Sequence, residues 1–363
     1  MHSPSHQVNR TMQLVGVALL LSLSAAAQAP EARNAGETTN ASRAGIASAP
    51  GNTAGANDFV PLRQPRFALA AQATYLHDSD RVVGVSENGV AKAYEPDVTA
   101  WHHVIEDRLG DLPVIVTWCS LCNTPLVYKS EVDGKKLTFA RAGNRGNNFY
   151  MADSETGSHW QQIGGECFEG PLKGKRLTMV PFLFTTWGEW RAQHPQTLAL
   201  IPEPAHAEQY AGMAKRIATM PYGSNTAPGR ELVHQADTRL PNYEQVIGIE
   251  SGEAHKAYPV SVLGKQPVIN DKVGSTLVVV AYVPSTDTTT AFSRTVNGRV
   301  LTFRSAHAGT MTDDETGSTW TTYGECTAGK LKGQKLTPLV PEPGLWFAWA
   351  EFHPDTDVFT SVK

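Results

Sequence analysis

The chain has 363 residues, 41% of them hydrophobic and 18% charged, with a formal net charge of −4. This is ordinary globular composition, long enough for one or two substantial cores. The slight acidity excludes the basic footprint of a protein that binds nucleic acid or an anionic membrane surface.

The first elements concern targeting. Arg10 precedes an apolar run at 14–23, which gives way to small residues at 24–27. That pattern predicts a secretory signal peptide over 1–27, cut after Ala25-Ala26-Ala27, and hence an exported protein, periplasmic or extracellular. The run is short for a bilayer and no second one follows, so no stable membrane span is expected after cleavage. Residues 28–58 lack aromatic side chains and are rich in Ala, Gly, Thr, Asn, Ser and Pro, which predicts a disordered spacer.

The remainder contains one unit twice, at 81–200 and 245–359, joined by a linker at 201–244. Each unit opens with a β-hairpin, in the first copy 82–85 and 91–94 around Asn88-Gly89. A short polar or helical link leads to an apolar strand, 112–118 or 277–283. A second hairpin turns at Asp133-Gly134 or Asn297-Gly298. Next comes Asp-x-Glu-Thr-Gly-Ser-x-Trp, at 153–160 and 313–320, read as a turn with Gly157 and Gly317 at positive φ. Gly-Glu-Cys, Leu-Lys-Gly and a Trp-bearing helical segment follow, and each copy closes on His-Pro. Repeated order and spacing mark an internal duplication. The expected fold class is α+β, predominantly β, with two tandem pseudo-symmetric β-rich repeats and short helices.

Only the first copy carries Trp-Cys-Ser-Leu-Cys-Asn, at 118–123. With the copies aligned, Cys119 falls on Val283, Cys122 on Thr286, and His102 and His103 on Gln266 and Pro267. Scaffold requirements act on both copies alike, so residues confined to one copy are candidates for chemistry. Cys167 and Cys326 occupy equivalent positions and read as scaffold, either as buried thiols or as a bridge between copies.

A Cys-x-x-Cys in an exported protein has three readings: a structural disulfide, a redox dithiol, or a soft-metal site. Thioredoxin-like chains continue from the second cysteine into a long helix, whereas Pro125 here begins a strand. Two thiolates and an imidazole suit Cu(I) well and zinc less specifically. His102, Cys119 and Cys122 are therefore the expected metal ligands, with His103 as a further candidate. Cys119 and Cys122 are the redox candidates if no metal is involved. A third reading is a ligand-binding module with structural cysteines and a groove between the copies.

Taken together, Val-Gly-Val with Ala-x-Ala-Tyr, the Trp-His pair, Cys-x-Leu-Cys-x-Thr, Asp-Gly-x-x-Leu-Thr-Phe and Glu-Thr-Gly-Ser-x-Trp resemble the bacterial domain of unknown function 3179 family. The resemblance covers both copies. It implies that His102 matches the family's histidine and that Cys119 and Cys122 match its cysteine pair. Selenocysteine in some members implies redox or soft-metal chemistry at that pair. His103 departs from the family's usual acidic residue, and Cys167 and Cys326 from its usual alanine.

Overall fold

The opening hairpin of the first unit forms as Arg81–Glu87 and Val90–Tyr94. Asn88 (φ 52°) and Gly89 (φ 76°) both sit at positive φ, the conformation that matches the twist of a two-residue hairpin. Asp133-Gly134 and Asn297-Gly298 do the same, and Gly157 and Gly317 adopt the positive φ expected of them. The computed structural model describes residues 59–227, 231–233 and 237–361. The signal peptide and spacer expected at 1–27 and 28–58 lie outside the described residues.

Strands dominate and the helices are short. Among the described residues the longest helix is Ala207–Ala218, at 12 residues. In the first half the hairpin joins a five-stranded sheet ordered Phe67–Leu69, Leu198–Leu200, Val90–Tyr94, Arg81–Glu87, Leu183–Thr186. A three-stranded meander, Val104–Leu109, Leu112–Cys119 and Thr124–Lys129, follows. The third layer runs Cys167–Glu169, His159–Gln161, Asn148–Asp153, Phe139–Arg145.

Residues 245–359 build ladders in the same order. Gln245–Ser251 and Ala254–Pro259 pair between Glu342–Leu345 and Asp357–Val358. Val268–Val273, Thr276–Val283 and Thr288–Ser293 form the meander, and Phe303–Ser305 to Cys326–Ala328 the last sheet. The halves meet through short strands: Leu183–Thr186 lies against Thr288–Ser293, and Glu342–Leu345 against Thr124–Lys129.

The repeated motif is scaffold, and each of its residues has a structural task. Asp153 Oδ1 accepts from the Thr156 N–H (2.6 Å), while Oδ2 accepts from the Trp160 indole N–H (2.8 Å). Asp313 treats Thr316 (2.6 Å) and Trp320 (2.9 Å) alike. Glu155 and Glu315 accept from the N–H of Thr138 and Thr302, tying the turn to the preceding hairpin. Trp160 and Trp320 are fully buried. Removing about 150–250 Å² of each ring from water gives a gross gain of about 4–6 kcal/mol per ring, an upper bound.

Two glycines admit the tryptophans of the closing helices, Trp187–Gln193 and Trp346–Phe352. A Cβ at Gly84 would overlap the Trp190 ring, and one at Gly248 the Trp349 ring.

The segment read as a linker is not simply a connector. It contributes the helix Ala207–Ala218, whose Tyr210 is buried, and it packs on the helix Pro96–His102. Tyr210, Met213 and Ile217, spaced i, i+3 and i+7, face the core, a helical period that reading the segment as a linker passes over.

Candidate functional site

Cys119 ends the strand Leu112–Cys119, and Cys122 lies in the turn before Thr124–Lys129. The sequence motif thus sits on a strand-to-strand connection, as Pro125 implies. Asn123 completes the turn at φ 52°. In the second half Asp287 holds the matching position at φ 46°, with Val283 and Thr286 where the cysteines would be. The hydroxyl of Thr124 donates to the Cys122 carbonyl at 3.1 Å, and that of Thr288 to the Thr286 carbonyl at 3.1 Å. The same turn therefore forms without thiols, so the fold does not need the cysteines to make it.

Both thiols are free and buried, Cys119 at 2% and Cys122 at 0% exposure. They titrate in opposite directions. Burial pushes the Cys119 thiol up, but it is outweighed by hydrogen bonds from the Cys122 thiol and the backbone N–H groups of Cys122, Leu121 and Phe149. The net effect lowers its pKa from 9.0 to about 6. Cys122 is pushed well above 9.0, first by burial and then by donating to the charged Cys119. The Arg141 guanidinium is close enough to interact electrostatically with Cys119. The opposed shifts favour a single negative charge on the pair, centred on Cys119.

A buried amide network holds Cys122. Asn148 Nδ2 donates to Cys122 Sγ at 3.3 Å and to Gln162 Oε1 at 2.7 Å. Gln162 Nε2 in turn donates to Thr117 Oγ1 and the Thr124 carbonyl, both at 3.1 Å. Gln161 Nε2 and the Ile163 N–H donate to Asn148 Oδ1. Sequence reasoning missed Thr117, Asn148 and Gln162, although the comparison between copies carried the signal. The second copy has Ala281, Ala308 and Thr322 at those positions.

The histidines have partners of their own. His102 ends its helix at 2% exposure, its Nδ1 2.6 Å from the Val60 carbonyl and its Nε2 2.8 Å from the Tyr210 hydroxyl. A neutral ring donating from Nδ1 and accepting at Nε2 satisfies both contacts. His103, at φ 60°, packs its ring on Phe59 (4.3 Å) and Phe149 (5.1 Å). Burial first, then Arg141, lowers its pKa to about 3, so it is neutral. Among the described residues, the group of three potential ligand atoms lying within 4.8 Å of one another comes from Glu250, His255 and His353. Neither His102 nor His103 joins the two thiols in such a group.

Cys167 and Cys326 are free and buried, each directly opposite a tryptophan (Trp160, Trp320) in its own sheet. Each donates to a nearby carbonyl at 3.3 Å, Glu169 or Ala328. They are scaffold thiols, and no bridge joins them. Between the halves lies a cavity of about 200 Å³ bordered by Leu183, Trp190 and His194 on one side and Thr290, Phe292 and Tyr323 on the other.

These features define a strand-rich protein with a buried, polarised dithiol in a strand-to-strand turn. The chain belongs to the family described as protein of unknown function (DUF3179), whose match spans residues 57–356 and so takes in both halves. No curated protein and no solved structure matches the chain. Among the described residues no helix is long and apolar enough to cross a membrane.

Proposed function

We propose that the chain is an exported protein of two tandem pseudo-symmetric units, in which the first unit carries a thiol–disulfide redox centre. Cys119 is the attacking thiolate and Cys122 the resolving thiol. The observation that carries this reading is a pair of free, buried thiols in one strand-to-strand turn, with Asn148 held on Cys122 at 3.3 Å and an environment that lowers the Cys119 pKa to about 6. Such an environment stabilises a thiolate at neutral pH.

In the forward direction the Cys119 thiolate attacks one sulfur of a substrate disulfide and expels the other as a thiolate. Cys122 then loses its proton and attacks Cys119 Sγ, releasing the second substrate thiolate. The substrate gains two electrons, and the pair becomes a Cys119–Cys122 disulfide. The matching order of the shared strands in the two halves supports the duplication, and the sequence pattern at 1–27 supports export.

Equilibration of the purified protein with glutathione mixtures tests the centre. A reversible two-electron transition abolished in Cys119→Ser is expected. An inert pair whose loss lowers only stability would overturn the reading.

A second reading keeps Cu(I) on the same two sulfurs, favoured by their place in one short turn, where each alters the other's titration. His102 would join them only by leaving Val60 and Tyr210. Copper retained stoichiometrically by the wild type and lost in Cys119→Ser would select this reading; zinc fits the two-sulfur site less well.

A further inference from the structure

The comparison between halves also works in reverse, and the second half has ionisable residues of its own. Glu250 and His255 lie directly opposite each other on Gln245–Ser251 and Ala254–Pro259. The first half has Ser86 opposite Ala91 at the same ladder positions. Glu342, opposite Gly248, stands where Leu183 faces Gly84. His353 and His194 each follow their closing helix, but only His353 has these neighbours.

We propose that Glu250, His255 and His353 form a binding site for a borderline divalent transition cation, zinc being the type case. Their ligand atoms lie within 4.8 Å of one another. Glu250 Oε1 is 3.4 Å from His353 Nε2 and 3.9 Å from His255 Nε2. A tetrahedral zinc with bonds of about 2.0–2.1 Å separates its ligands by about 3.4 Å. The first pair already has that spacing, and the second reaches it with a shift of about 0.5 Å.

The supporting residues fit the same role. Arg176 holds the other carboxylate oxygen, Oε2, at 3.0 Å, leaving Oε1 turned to the imidazoles. Trp349 packs on the His353 ring at 4.0 Å, and the two imidazoles stack at 4.4 Å. Side-chain exposures of 17% for Glu250 and 10% for His255, against 0% for His353, leave the site open on one side. A second carboxylate, Glu342, is 3% exposed and interacts electrostatically with Glu250, and its Oε2 has no hydrogen-bond partner among the described residues. Two imidazoles, one carboxylate and an open side describe a site that binds water or a small ligand as well as the metal.

The site is independent of the thiols, so the test is run on the full chain carrying Cys119→Ser and Cys122→Ser. Titration with zinc alone is expected to show one saturable site per chain. His255→Ala and Glu250→Gln, both at partly exposed positions, should each weaken it by about a hundredfold, with unchanged circular dichroism. Absence of saturable binding in the thiol-free chain, or binding that His255→Ala leaves unaltered, overturns the proposal.

Discussion

The backbone N–H of Leu345 donates to the carbonyl of Cys122 at 3.2 Å. A residue of the second half thus closes the turn that carries the first half's thiols. The half that lacks the Cys-x-x-Cys pair therefore contributes to the site as a buttress. Glu351, from the helix that follows Leu345, reinforces the contact by accepting from both the backbone N–H and the side-chain amide of Asn147, each at 2.9 Å.

Glu351→Ala should accordingly loosen the site from a distance. Two donors at Asn147 lose a charged acceptor, which costs about 1–3 kcal/mol. Urea unfolding measures the loss, and faster amide exchange at 146–148 would locate it. Unchanged exchange there would show that the buttress is not needed.

The Cys119 thiolate should form with a midpoint near pH 6, followed by its ultraviolet absorbance. Cys122→Ala removes the side-chain donor and should move the midpoint upward. Cys122→Ser keeps a donor and should hold it low. A midpoint near 9 in the wild type would contradict the donor geometry.

Close backbone approach is testable in both halves. Gly84→Ala and Gly248→Ala each force a methyl group into a tryptophan ring, for a loss of about 1–3 kcal/mol. Gly212→Ala, on an exposed helical position with open space around it, should instead stabilise by about 0.5–1 kcal/mol. Thermal melts of the three variants distinguish overlap from a general sensitivity to alanine.

Asp313 sets an acid limit. Burial pushes its pKa up, but the Trp320 indole, the Thr316 hydroxyl and the N–H groups of Thr316 and Ser318 together bring it below 3.8. A depressed folded pKa means that this stabilisation is complete above the unfolded value of about 4. It is lost as pH falls through the folded value. Asp313→Asn should lower stability at neutral pH and flatten its decline below about pH 4, as read by denaturation at several pH values.

The sequence by itself determined the local geometry. Asn-Gly and Asp-Gly dipeptides specify their hairpins because few other residues accept positive φ at both turn positions. Alternating apolar runs fix the strands, and Pro125 keeps Cys122 out of a helix. The restriction of Cys119 and Cys122 to one copy marked the site, since a turn that forms equally well around Val283 and Thr286 owes nothing to thiols.

Tertiary structure decided which polar groups meet. His102 and the cysteines are 17 to 20 positions apart in the chain, yet the helix Ala207–Ala218 takes the imidazole through Tyr210. Asn148 reaches Cys122 from another sheet, with Gln162 bonded to it, and Glu250, His255 and His353 gather from two strands and the end of a helix. Short-range steric preferences can be read residue by residue. The partners of a buried polar atom depend on packing between segments far apart in the chain, and no local pattern encodes them.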